Sequence, residues 1–105
     1  DQSFLREIFH PAKEALSLRY SLAHAKVEVG GKTTPHKLKT SEVYYILSGN
    51  AVMHLNDESN QVSKDCTVYI APGTKQWIEN TGDRDLLFLC IVDPAWKSED
   101  EEVLL

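Results

Sequence analysis

Basic charge is scarce in this chain. Its 11 Lys and Arg residues stand against 16 Asp and Glu, a formal net charge of −5 at pH 7. Nucleic-acid phosphates are held by concentrated basic surface, so that balance disfavours a nucleic-acid partner. Long hydrophobic runs are missing as well. None approaches the roughly 20 apolar residues that cross a bilayer, which disfavours a membrane role. No signal-peptide pattern is visible, although the chain begins at Asp1 without Met and a trimmed leader stays open. Cysteine is limited to Cys66 and Cys90, each within a hydrophobic run. Neither belongs to a CxxC, so the usual thiolate metal and redox spacings are absent, and both read as reduced core residues of a cytoplasmic protein. Helical periodicity is nearly absent too.

What is present is a series of short strand patterns. The 105 residues suit one domain, with residues 1–16 as an N-terminal arm, 17–93 as the body and 94–105 as an acidic tail. A chain of this size buries roughly 65% of its unfolded surface, so a core without staples is feasible. The arm fits either a short strand or a helical turn, and is expected to pack on the domain or on a second subunit. In 17–29, Ala23, Ala25, Val27 and Val29 share one parity, and His24 falls on the more polar one as a surface or interface histidine. Gly30-Gly31 breaks that strand.

Gly49-Asn50 reads as a tight hairpin turn, pairing Ile46 with Met53, Tyr44 with Leu55 and Tyr45 with His54. DESNQ reads as a polar turn and CTVYI as a strand ended by Ala71-Pro72-Gly73. The run LLFLCIV at 86–92 is apolar throughout and reads as a fully buried strand. The tail WKSEDEEVLL fits a short helix or a mobile end. Many short strands with Gly, Pro and Asn turns predict an all-β sandwich or small barrel.

The stretch from Gly30 to Gly49 concentrates the chemistry. If 36–42 is extended, His36, Leu38, Thr40, Glu42, Tyr44 and Ile46 share one face. A histidine and a carboxylate among apolar neighbours suit half of a metal site or an acid–base pair. Burying them merely for packing is costly, although a purely structural pair stays open. Tyr44 fits either a cavity hydroxyl or a core tyrosine, and Met53 either pocket wall or core. His54 points away from His36 in this register, and a one-residue slip would bring it in as a ligand contact. Lys32, Lys37, Lys39 and Lys75 flank the region. They suit either solvated positions or attraction of a carboxylate or phosphate to the mouth of a cavity. Trp77 and Trp96 suit a rim or an interface.

These motifs resemble those of the cupins. Gly30, five residues, His36-Lys37-Leu38, three residues, Glu42, six residues and Gly49 reproduce the spacing of the family's first motif, with Leu38 where a second histidine is usual. Asp65, five residues, Ala71-Pro72-Gly73, two residues, Gln76, three residues and Asn80 resemble the second, with departures at Asp65, Ala71 and Gln76. The resemblance covers roughly residues 20–92 and is similar to the smallest single-domain members, including those like mannose-6-phosphate isomerase. It implies an antiparallel jelly roll, the double-stranded β-helix, of eight to ten strands, and a homodimer. Carried over by position, the metal ligands become His36, Glu42 and Gln76, with Leu38 unable to ligate. That set implies a divalent metal (Zn, Fe, Mn or Ni) or none. Tyr44, Met53, His54 and Lys39 are the expected ligand contacts. Two functions fit. One is a metal-dependent protein acting on a small polar metabolite such as a sugar or sugar phosphate, isomerase-like or dioxygenase-like. The other is a metal-free small-molecule or sugar-binding module. One such barrel hosts many chemistries, so the fold does not choose between them.

Overall fold

The computed structural model describes residues 1–13 and 17–104. Ten strands run in order: β1 Ser3–Phe9, β2 Ser21–Val27, β3 His36–Leu38, β4 Ser41–Ser48, β5 Asn50–Leu55, β6 Glu58–Ser63, β7 Thr67–Ile70, β8 Gln76–Asn80, β9 Leu86–Asp93 and β10 Glu101–Val103. A 3-10 turn, Ser98–Asp100, precedes β10. The strands form two five-stranded antiparallel sheets, ordered β1-β2-β9-β4-β7 and β10-β3-β8-β5-β6. This is the expected all-β jelly roll.

Inward side chains alternate along each strand, as a period of two requires. Val27, Ile46, Leu86 and Phe88 of the first sheet meet Ala51, Met53 and Ile78 of the second in the buried core. The same parity runs on through 36–46, although the chain changes sheet inside it. β3 belongs to the second sheet and β4 to the first, and Leu38, Thr40, Glu42, Tyr44 and Ile46 all stay buried. The crossing therefore turns both ends of the stretch toward the same interior. β2 stops at Val27, so Val29 is exposed despite sharing the buried parity.

Four local expectations are corrected. The Gly49-Asn50 hairpin does not form: β4 pairs with β7 and β9, while β5 pairs with β6 and β8. None of the pairs Ile46–Met53, Tyr44–Leu55 or Tyr45–His54 exists. Gly49 instead carries the chain from one sheet to the other at φ +99°, and a Cβ there would lie 2.8 Å from the Asp85 carbonyl oxygen. DESNQ is mostly strand. β5 and β6 pair Leu55 with Glu58 across a two-residue turn, in which Asn56 takes positive φ. LLFLCIV is buried on one parity alone: Leu86, Phe88, Cys90 and Val92 point inward, whereas Leu87 and Leu89 are half-buried and Ile91 is exposed. Its periodicity is hidden because both faces are apolar. The tail forms β10, which pairs Glu101 with Leu38 and Val103 with His36.

The arm expected at 1–16 supplies β1, an edge strand paired with β2, and residues 14–16 lie outside the described residues. Cys66 is half-buried, Cys90 is buried, and both are free thiols. Among the described residues, no helix is long and apolar enough to cross a membrane.

Candidate functional site

The site forms where β3, β4 and β8 meet across the two sheets. His36 of β3 is the direct cross-strand partner of Gln76 on β8. Facing them from the first sheet are Glu42 and Tyr44 of β4. The Tyr44 hydroxyl donates to Gln76 Oε1 at 3.1 Å, a hydrogen bond that ties the two sheets together through the interior. The Tyr44 ring also packs on Phe88, with centroids 4.5 Å apart.

Three buried polar atoms in this region have no hydrogen-bond partner: Glu42 Oε1, Gln76 Nε2 and Thr40 Oγ1. Such atoms are uncommon in folded proteins because each forgoes its hydration without replacement. Glu42 is only 6% exposed. Burial pushes its pKa up to about 7, the Gln76 amide offsets part of the rise, and the charge of Glu101 adds to it. The Gln76 amide acts from beside Glu42 without completing a hydrogen bond to it. Glu42 thus keeps its proton well above the pH at which a free carboxyl loses it. Burial also raises Tyr44 and Cys90 well above their ordinary values, with Glu42 adding to both, so they stay a phenol and a thiol.

The site opens into a cavity of about 790 Å³. One wall is the first sheet, with Ser3, Leu5 and Glu7 from β1, Ser21, Ala23 and Ala25 from β2, and Phe88, Cys90 and Val92 from β9. The other is β3 and β10, with His36, Leu38, Glu101 and Val103. That volume is ordinary for a pocket holding a small ligand. His36 Nδ1 lies 2.8 Å from the Thr34 carbonyl oxygen. A carbonyl only accepts, so Nδ1 carries the proton, and Nε2 of the neutral ring is left as an acceptor.

Of the residues expected at the site, His36, Glu42 and Tyr44 line the cavity. Gln76 sits behind the Tyr44 hydroxyl, fully buried. Met53 is a core residue packed in the sandwich. His54 lies on the outer face, stacked on Trp77 at 4.2 Å and 2.9 Å from Ser59 Oγ. Lys39 is exposed in the bend between β3 and β4. Lys75 is exposed and sits over the Trp77 ring, away from the cavity. Trp96 lines the cavity, and its indole N–H donates to Glu101 at 3.3 Å. His24 is opposite Arg6 and Leu89 in the first sheet.

Sequence reasoning missed Glu7 and Glu101. Glu7 shares parity with Ser3 and Leu5 along β1, a signal that was available. Glu101 stands in a run of four acids, and nothing in that run distinguishes the one that borders the cavity.

The donor set is a poor match for a resident divalent ion. Leu38 presents hydrocarbon, and the Gln76 oxygen already accepts from Tyr44. Among the described residues, no three His, Cys, Asp or Glu side chains come close enough together to hold a metal. One imidazole is then the sole nitrogen donor, and transition metals prefer more.

A family model for the cupin domain matches residues 23–92. The chain is 45% identical over 105 residues to an uncharacterised protein of Methanocaldococcus jannaschii, spanning 99% of this chain and 83% of the relative. It is 34% identical over 83 residues to a Thermotoga maritima protein named as oxalate-binding, covering 77% and 69% of the two chains. Among solved structures it is similar to a cupin 2 domain-containing protein of Halorhodospira halophila, with a TM-score of 0.82, 26% identity and coverage of 93% and 72%. It is also similar to a Thermotoga maritima protein named as a predicted oxalate decarboxylase, with a TM-score of 0.79, 29% identity and coverage of 88% and 80%.

Proposed function

Since this chain belongs to the cupin domain family, we propose that it is a small-molecule-binding barrel whose ligand sits in the cavity over Glu42 and involves no resident metal. One observation carries this reading. A buried carboxyl, Glu42, lines an open cavity of ligand size; its Oε1 is sealed inside near the Gln76 amide, and the rest of the group is what the cavity presents. A bound molecule that hydrogen-bonds the cavity side of this carboxyl would offset part of the cost of burying it. The relative named as oxalate-binding supports a small-molecule role of this general kind.

The test is a thermal-stabilisation screen of small sugars, diols, acids and amines on the parent and on Ala23→Leu. Ala23 lines the cavity, so a leucine there takes up ligand space. Ligands that raise the melting temperature of the parent by several degrees and lose at least half of that rise in the variant are the expected result. A screen without hits, or hits indifferent to Ala23→Leu, would put the ligand elsewhere and end this reading.

A metal-dependent enzyme is the second reading, with Zn, Fe, Mn or Ni at His36, Glu42 and Gln76 and a sugar or sugar phosphate as substrate. The hydrogen bond of His36 favours it, since the Thr34 carbonyl fixes the tautomer that leaves Nε2 unprotonated and able to ligate. The poor remaining donor set ranks it below the first.

A homodimer is supported by the outer face of the first sheet. Tyr45, Tyr69 and Ile91 are exposed there on the neighbouring strands β4, β7 and β9. Exposed apolar patches of this kind mark interaction surfaces. Sedimentation should give twice the chain mass for the parent and the single-chain mass for Tyr69→Asp with Ile91→Lys. A monomeric parent at micromolar concentration would contradict the dimer.

A further inference from the structure

We propose that the cavity is selective for a small organic cation, an ammonium-bearing molecule with an apolar body, and rejects small dicarboxylates. The proposal rests on the reading that the cavity is a ligand site and adds the class of ligand.

Three glutamates from three strands line the cavity: Glu7 on β1, Glu42 on β4 and Glu101 on β10. They approach from both sheets. Asp1 also lines it, with its carboxylate engaged by Ser3 and Thr34. The lysine in the lining is Lys13, and its ammonium lies 2.8 Å from Glu7. Among the described lining residues, His36 is the other basic side chain. A cleft lined by one sign of charge, with low-dielectric walls, concentrates ligands of the opposite sign.

The second observation is independent of that cluster. Glu42 is more than nine-tenths buried, its Oε1 is sealed from the cavity, and the other side of its carboxyl lines the space with no hydrogen bond from the surrounding side chains. An ammonium brings three donors and no acceptor, which suits a carboxylate oxygen presented in that way. A dicarboxylate in the same place would bring further negative charge beside Glu42 and Glu101, with no guanidinium among the described residues of the lining to receive it. Removing like charges from water together is among the most expensive arrangements a protein can make.

The rest of the wall suits the body of such a ligand. Leu5, Ala25, Val92 and Val103 supply aliphatic surface, and the rings of Tyr44, Phe88 and Trp96 also line the space. Cations are attracted to aromatic faces when both are partly desolvated. Glu101 is steadied by the Trp96 indole N–H, so its carboxylate is positioned before a ligand arrives. Lys32, Lys37, Lys39 and Lys75, which the sequence left as either solvated positions or attractants for anions, are not among the described residues that line the cavity.

The experiment is calorimetric titration of the full chain at pH 7.5 with EDTA present, using butane-1,4-diamine, butane-1,4-diol, succinate and oxalate. The diamine should bind at least tenfold more tightly than the diol, and the two dicarboxylates should give no heat. Glu101→Gln should weaken the diamine about tenfold and leave the diol unchanged. Ala23→Leu should weaken both. Circular dichroism establishes that each variant is folded. Succinate or oxalate binding that is lost in Ala23→Leu would overturn the charge selectivity and leave the ligand cavity standing. Diamine binding indifferent to Glu101→Gln and Ala23→Leu would be attraction to the acidic surface and would also overturn the proposal. If the diamine gives no heat at all, the proposal fails, and the wider stabilisation screen decides separately whether the cavity binds anything.

Discussion

At pH 8, Glu42→Gln should be more stable than the parent, and at pH 4 the two should unfold together. The argument is linkage. The folded carboxyl has its pKa raised from 4.5 to about 7, chiefly by burial. In the unfolded chain it ionises through 4.5, while in the fold it keeps its proton until about 7. The unfolded state therefore binds fewer protons in that window, and stability falls as pH rises through it. Below 4.5 both states are protonated and the parent bears no penalty. Above 7 the penalty is complete, at about 3 kcal/mol for a shift of this size. Glutamine has the same shape, cannot ionise, and is free of the penalty at every pH. Urea unfolding of both proteins at pH 4, 6 and 8 measures the difference directly, and a gap of this size moves the melting point by roughly 10–20 °C. A constant gap across pH 4–8 would mean that Glu42 does not titrate in this range. The variant also sharpens the ligand test, because it should bind a cation less well while being the more stable protein.

The double substitution Leu38→His with Gln76→His should raise affinity for divalent Zn or Mn by at least a thousandfold. Leu38 lines the cavity two residues from His36, and Gln76 is the cross-strand partner of His36. The variant would present three imidazoles and the Glu42 carboxylate, a four-donor set of the kind transition metals favour. A bound ion would also hold Glu42 ionised, offsetting the effect of burial. Elemental analysis and titration calorimetry on the parent, on His36→Ala and on the double variant make the comparison. Stoichiometric metal in the parent, lost in His36→Ala, would revive the enzyme reading. A folded double variant that takes up no metal would show that positions 36, 38, 42 and 76 do not converge.

The parts of the structure legible in advance were those governed by strict period and spacing. The inward parity of 36–46 holds through a change of sheet, because a period of two survives the bend at Lys39 and Thr40. The Gly30, His36, Glu42 and Gly49 spacing pointed to a barrel of this family. The error at Gly49-Asn50 came from treating a local turn signal as proof of a hairpin. Glycine was required there, but by the Asp85 carbonyl oxygen that a Cβ would strike, a contact with no local trace. LLFLCIV misled for a related reason. One side fills the core, the other is apolar without being covered in the single chain, and pattern alone reads both as interior. Glu101 was beyond reach because its placement depends on the tail returning to β3, a pairing between residues more than 60 apart.

The attachment of β3 has a mechanical meaning. β3 shares one register pair with β8, His36 with Gln76, but the chain leading into it runs on beside β8 through the Lys32–Glu79 bridge and the bonds from Thr33 N–H to the Ile78 carbonyl and from Asn80 N–H to the Gly31 carbonyl. Its far end is held by the Gly73 N–H on the Leu38 carbonyl, and β10 pairs along its outer edge. The opposite wall belongs to a continuous run of long strands, β2, β9 and β4. The cavity thus stands between two fastened walls, with the Tyr44–Gln76 hydrogen bond as a rivet between the sheets. A molecule spanning Glu42 on one wall and Glu101 on the other meets a gap of set width, so its length is gauged before it binds, and one too short to reach both sides engages only half of the site.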